Sequence, residues 1–238
     1  MTKSERIALI GYKGFVGRAL FEKLKENRHD VTGVSRDNYE SNKKQEFGTL
    51  INSAMPSKRY WALENPMQDF DATVRLTADL VYGWKWKKFV QVSTVSARCQ
   101  LDHPYGINKL CAETLVLNRS KSSLVFRLGA LFGEGLDKGV IFDMLKGNKI
   151  FLSGNSRYNY ISTGKASEIM AKKIGEKGII EVGAKDQISL KEISDNLNLD
   201  VEFGDRLESQ HTENPDDDYP ESKEILKFMS NIKEEKNE

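Results

Sequence analysis

Four apolar residues, Ile7 to Ile10, run straight into glycines at positions 11, 14 and 17. Behind them Phe15, Val16, Ala19, Leu20 and Leu24 recur at helical spacing. Strand, glycine turn and helix in this order meet the physical requirement for holding a dinucleotide pyrophosphate. Gly11 permits the tight turn, Gly14 lets the backbone approach the phosphates, and Gly17 lets the helix pack close to the strand. The helix N-terminus then points free N–H groups and the positive end of its dipole at the anion. A glycine triplet alone is a weak signal. Its position between a strand and a helix is what gives it meaning.

Bulk properties narrow the class. The 238 residues suffice for one large domain with a small appended lobe. Lys and Arg total 36 against 35 Asp and Glu, a formal net charge of +1. That balance gives no reason to expect nucleic acid or an acidic membrane as partner. No apolar run approaches the roughly 18 residues of a membrane helix. Met1-Thr-Lys-Ser-Glu-Arg6 passes into the first strand without an apolar signal region, so a cytoplasmic protein is expected. Cys99 and Cys111 lack metal-site spacing and read as reduced thiols. His29, His103 and His211 form no cluster and read as surface or loop residues. No metal is expected.

Strand and helix patterns alternate along the chain. They predict an α/β fold, a Rossmann-type doubly wound parallel sheet in a single domain over residues 1–238. Further strands are expected at Asp30–Ser35, Thr49–Ser53, Lys88–Ser93 and Ser123–Arg127, the fourth nearly continuously apolar as buried parallel strands are. Helices are expected at Asp69–Trp84 and Pro104–Arg119. Short strands follow at Ile150–Leu152 and Gly178–Val182. In the charged tail Ile225, Leu226, Phe228, Met229 and Ile232 keep helical spacing, which predicts a last helix packed on the body.

The chemical signal is Tyr105-Gly-Ile-Asn-Lys109, preceded by Ser93-Thr94 at the end of the fourth strand. Tyrosine and lysine at i and i+4 share one helix face. A free phenol, with a pKa near ~10, is a poor acid–base group at neutral pH. A lysine ammonium held beside it favours the phenolate. A hydroxyl at a strand end can bond the same substrate oxygen. The set suits proton transfer at a carbonyl or alcohol while hydride moves to or from a nicotinamide. Chance also produces Tyr-x-x-x-Lys, and Glu113 could make an ordinary surface pair with Lys109.

Together these stretches resemble the extended short-chain dehydrogenase/reductases, the nucleotide-sugar epimerase, dehydratase and reductase family. The matching segments are the Gly11-x-x-Gly14-x-x-Gly17 turn, Asn52-Ser-Ala-Met-Pro56, Val90-Gln-Val-Ser-Thr94, Pro104-Tyr105-Gly-Ile-Asn-Lys109 with Glu113, and Phe126-Arg127-Leu-Gly129 through Gly133. They cover about residues 5–170. The resemblance implies Thr94 as the hydroxyl of the site, with Ser93 as its neighbour and possible substitute. It implies Tyr105 as general acid/base, and Lys109 as ribose ligand and tuner of Tyr105. It places Lys13, Phe15, Val16, Ser53 and Ala54 in the cofactor site beside the three glycines. A substrate lobe would come from about residues 130–160 and 185–232. Arg157 resembles an arginine that grips a sugar-nucleotide diphosphate; the alternative is a solvated loop arginine. Helices near 69–84 and 104–119 resemble the pair that forms a homodimer interface. The chain departs from the family in its short length, in the brief stretch between the second and third strands, and at Gly164, where an aspartate is common.

Charge argues the choice of cofactor. An acidic residue about 20 positions past the glycine turn favours NAD. Here the second strand ends Val34-Ser35-Arg36. Ser35 does not repel a phosphate, and Arg36 is placed to hold a 2′-phosphate by charge-assisted bonds, with Lys13 as a second cation. NADP is expected, with NAD as second choice, because a small register shift would put Asp37 at the ribose. The alternative function is a non-catalytic NAD(P)-binding regulator or sensor. Retention of Tyr105 and Lys109 together favours the enzyme.

Overall fold

The computed structural model describes residues 5–136 and 138–235. The glycine-turn strand β1 (Ile7–Ile10) is buried along its length and lies next to one edge of a six-stranded sheet. Its partners on the two sides are β2 (Val31–Val34) and β3 (Glu46–Asn52). Next to β3 come β4 (Lys85–Thr94), β5 (Leu124–Leu128) and finally β10 (Gly178–Val182), giving the order β10-β5-β4-β3-β1-β2. The pairings from β2 through β5 are all parallel. Strand direction of connection reverses at β1: the chain passes to β2 on one side and to β3, β4 and β5 on the other. In open α/β sheets the crevice at such a reversal, outside the carboxyl ends of the strands, is where ligands bind.

α1 (Phe15–Glu26) follows the glycine turn and buries Gly17, Leu20 and Leu24. Between β2 and β3 stand only a 3-10 turn, Arg36–Asn38, and α2 (Tyr39–Lys43), so β2 is the sheet edge. The helix expected at Asp69–Trp84 is a longer, interrupted path. It comprises α3 (Arg59–Glu64), α4 (Pro66–Phe70), a π-helical turn (Asp71–Arg75) and α5 (Leu76–Gly83). α6 (Ser96–Cys99) is a single turn before α7 (Pro104–Arg119), which spans the residues expected for it.

The chain divides into two compact units. The first runs up to Leu128 and takes in Ser167–Ile180. Its core includes Ala8, Ile10, Val34, Phe47, Leu50, Leu80, Phe89 and Val125. The second comprises Gly129–Ala166 and the chain from Glu181 onward. It carries β6 (Leu131–Phe132), α8 (Val140–Leu145), β7 (Ile150–Leu152), β8 (Arg157–Tyr158) and β9 (Ile161–Ser162). α9 (Thr163–Lys173) begins in this unit and ends in the first. β11 (Ile188–Ser189), α10 (Leu190–Leu197), β12 (Phe203–Arg206) and α11 (Glu224–Glu235) complete it. The apolar spacing of the tail has its reason here. Ile225 and Met229 are fully buried in the second core, and the Phe228 ring lies 5.2 Å from that of Phe132. No helix among the described residues is long and apolar enough to cross a membrane.

Candidate active site

The glycine turn closes against the end of β3. Gly11 has φ +80°, and a Cβ there would meet the Ala54 backbone at 2.8 Å. A Cβ on Gly17 would lie 2.2 Å from the Gly11 carbonyl and 2.8 Å from Ser53 Oγ. Ser53 donates from both its N–H and its hydroxyl to the Ile10 carbonyl, at 3.0 and 2.8 Å. Gly14 caps α1 with no side-chain bond, and the first turn holds no acidic residue. The N–H groups at that helix end are thus left open, with Phe15 and Val16 the first residues of the helix. Residues of this kind fit a dinucleotide pyrophosphate.

The segment after β3 is pinned at two points. Asn52 Oδ1 accepts from the Ala54 N–H at 3.1 Å, and buried Asn52 Nδ2 reaches Thr77 and Gln91. Four residues on from Asn52, the Pro56 carbonyl accepts from Lys109 Nζ at 2.7 Å. The stretch expected to line the cofactor is therefore held by the helix that carries the acid–base residues.

Tyr105 and Lys109 lie in the first half of α7, at 7 % and 2 % exposure. The Lys109 ammonium is 5.0 Å from the Tyr105 ring centroid. Thr94, at the carboxyl end of β4, acts electrostatically on the Tyr105 phenol; its hydroxyl donates to Ser96 Oγ at 3.3 Å and accepts from the Ser96 N–H at 3.2 Å. Burial pushes the phenol up to about 12, the neighbouring charge of Asp69 adds to this, and Arg59 and the Thr94 hydroxyl pull it down. Burial also draws Lys109 down to about 7, against the pull of Asp69 and Glu113. Burial is the largest influence on the phenol, and Arg59 is a second cation near it besides Lys109.

The other hydroxyl of the pair has a different task. Ser93 Oγ donates to Glu113 Oε1 at 2.5 Å. Glu113 is only 1 % exposed and accepts from Arg127 Nε and NH2 at 3.0 and 2.7 Å. The alternative in which Glu113 makes a surface pair with Lys109 does not hold, since Glu113 is buried against Ser93 and Arg127. The triad ties α7 to β4 and β5. His103 is also more than a loop residue, since its Nδ1 caps α7 by accepting from the Tyr105 N–H at 3.2 Å.

At the end of β2 the charges face one another. Asp37 accepts from Ser35 Oγ at 3.2 Å and pairs with Lys13 at 3.5 Å. Arg36 begins the 3-10 turn at the surface.

A model of the NAD dependent epimerase/dehydratase family matches residues 7–167. The chain belongs to that family. The match takes in the glycine turn, the Ser-Thr strand end and the Tyr/Lys helix, so the resemblance read from those residues holds. Solved structures agree on the fold. A UDP-N-acetylglucosamine 4-epimerase from Methanobrevibacter ruminantium M1 superposes with a TM-score of 0.76 at 13 % identity, covering 98 % of each chain. A dTDP-4-dehydrorhamnose reductase from Bacillus anthracis in complex with NADP gives 0.75 at 16 %, covering 96 % of this chain and 98 % of that one. A Thermus thermophilus UDP-glucose 4-epimerase complex with NAD gives 0.70 at 18 %, with 87 % and 90 % covered. No curated protein sequence matches the chain.

For this member of the NAD-dependent epimerase/dehydratase family, the second unit holds Arg157. Its guanidinium pairs with Glu192 at 3.4 Å and donates to the Gln187 carbonyl at 3.1 Å. Asp69 and Arg59 escaped the sequence reading because neither belongs to a spaced motif. Among the described residues no three His, Cys, Asp or Glu side chains gather as a metal site.

Proposed function

We propose that the chain is an NAD(P)-dependent oxidoreductase or epimerase acting on a nucleotide-activated sugar through Thr94, Tyr105 and Lys109. One observation carries this reading. The buried Tyr105 phenol has the Lys109 ammonium 5.0 Å from its ring, one helical turn on, and Thr94 acts on it from the carboxyl end of a central strand. The Tyr105 O–H gives a proton to a substrate oxygen, or its phenolate takes one. Thr94 orients that phenol. Lys109 holds the ribose hydroxyls and, when charged, favours the phenolate. Gly11, Gly14, Gly17, Phe15 and Val16 hold the pyrophosphate, and Ser53 and Ala54 line the same site. The nicotinamide supplies or accepts hydride when bound.

Arg36 and Lys13 favour NADP. Arg157 is assigned to the substrate diphosphate, in competition with Glu192. The proposed assembly is a homodimer, supported by exposed Tyr60, Leu63, Met67 and Phe70 on α3 and α4 and Ile107 on α7. Sedimentation at micromolar concentration showing monomer alone contradicts it. A cytoplasmic setting is part of the same proposal.

Incubation with UDP- and dTDP-activated sugars tests the reaction. Sugar interconversion with retained cofactor marks an epimerase, and stoichiometric loss of nicotinamide absorbance marks a reductase. Failure to bind either NAD(H) or NADP(H) contradicts the proposal.

A further inference from the structure

Beside the acid–base pair lies a buried carboxylate to which the proposed reaction gives no part. Asp69, on α4, has no exposed surface. Its Oδ2 accepts from Asn108 Nδ2 at 2.8 Å, and its Oδ1 has no hydrogen-bond partner among the described residues. A carboxylate at this depth is costly unless charge compensates it, and Asn108 offers only a neutral N–H. The next residue on α7 is Lys109, itself buried, whose neighbouring carboxylates are Asp69 and Glu113. Glu113 is already committed to Arg127 and Ser93. Asp69 is the carboxylate left to answer the Lys109 charge.

The backbone agrees with a special role for this helix. α4 continues into α5 through the π-helical turn Asp71–Arg75, and both α4 and that turn pack on α7. Such wide turns occur in helices frequently at functional sites.

We infer that Asp69 is a positioning residue: its buried carboxylate is the counter-charge that, across space and without a direct ion pair, keeps the Lys109 side chain charged where the Pro56 carbonyl holds it beside the Tyr105 ring. The inference rests on the acid–base reading of Tyr105 and Lys109. Asp69 acts through Lys109 and touches no substrate. The charged and titratable groups that face the pair are Arg59 from α3, Asp69 from α4 and Glu113 from α7. Of the two carboxylates, Asp69 alone also acts on Tyr105. Without it, burial favours the neutral amine, and the tyrosine loses its charged neighbour near neutral pH.

The test is a pH titration of lysine side-chain NMR signals in the full chain without substrate. The Lys109 signal is identified by its loss in Lys109→Met. Asp69→Asn keeps an amide oxygen for Asn108 and removes the charge. The expected result is a Lys109 midpoint moved to lower pH with the circular dichroism spectrum unchanged. An unmoved or raised midpoint overturns the inference. Should Asp69→Asn fail to fold, Asp69→Asn/Lys109→Met decides. Recovery of folding supports the charge pairing, and a second failure overturns it by making Asp69 a packing residue. Because the titration needs no turnover, its failure stays distinct from failure of the acid–base reading, which Tyr105→Phe tests.

Discussion

Lys109 Nζ donates to the Pro56 carbonyl at 2.7 Å. That bond joins the helix bearing the acid–base pair to the segment that closes over the glycine turn. Ser53 and Ala54 in this segment touch the Gly11 and Gly17 positions. A change at the lysine is therefore felt at the cofactor turn as well as at the phenol. Lys109 is poised for both roles because it is buried yet faces two carboxylates.

The pH dependence of stability follows from Lys109. Its ordinary pKa of 10.5 falls to about 7 in the folded chain. Between those values the unfolded state binds more protons than the folded one, so wild-type stability from this group rises with pH across the window. Below about pH 7 the full cost of the buried charge is present. Lys109→Met removes that cost. Urea unfolding should show the variant gaining on wild type by a few kcal/mol as pH falls from ~10 to ~7, at about 1.4 kcal/mol per unit of pKa shift. A pH-independent difference contradicts the assigned shift.

The Glu113–Arg127 pair should behave as a buried ion pair. Arg127→Met leaves Glu113 with the Ser93 hydroxyl as its remaining partner, and should cost about 3–5 kcal/mol in chemical denaturation. Glu113→Gln/Arg127→Met should recover part of that loss, because neither partner remains uncompensated. A loss below about 1 kcal/mol for Arg127→Met would match a surface pair instead.

These anchors show where the sequence was readable and where it was not. The glycine turn and α7 were legible because their chemistry is local. Glycines at fixed spacing follow a strand, and Pro104, Tyr105 and Lys109 sit at positions a helix start dictates. The helical tail was legible because Ile225 and Met229 repeat at 3.6-residue spacing. The Glu113–Arg127 pair is not legible in the sequence because Arg127 is fourteen residues away on the neighbouring strand, and no periodicity reports a cross-element ion pair. The interruption after Phe70 was not legible for a related reason. A π-helical turn shifts the face by one residue, which leaves the apolar count of the helix almost unchanged. Asp69 looked like a helix-start carboxylate and is instead fully buried.

Gly17 tests the cofactor turn. A Cβ there would lie 2.2 Å from the Gly11 carbonyl. Gly17→Ala should lower the melting temperature and weaken NAD(P) binding together, measured by thermal shift with and without cofactor. Gly14→Ala would bring its Cβ to 3.2 Å from the same atom. It should fold nearly as wild type and lose mainly cofactor affinity.

Cofactor preference turns on the end of β2. Arg36→Ala should weaken NADPH binding by about one to two decades, the worth of a charge-assisted hydrogen bond. NADH should be almost unaffected because it lacks the phosphate. Asp37→Asn frees Lys13 from its 3.5 Å partner and should shift preference further toward NADPH. Fluorescence titration of the three proteins with both cofactors checks this. Equal losses for NADH and NADPH in Arg36→Ala would show that the arginine does not read the phosphate.

The direct measurement is turnover of Tyr105→Phe on a nucleotide sugar that wild type converts, with cofactor affinity measured on the same sample. Removing the phenolic proton should lower turnover by roughly 10²–10⁴-fold, the usual worth of a positioned acid–base group, while the dissociation constant for NAD(P) stays within about twofold. Near-normal turnover in Tyr105→Phe would contradict the account.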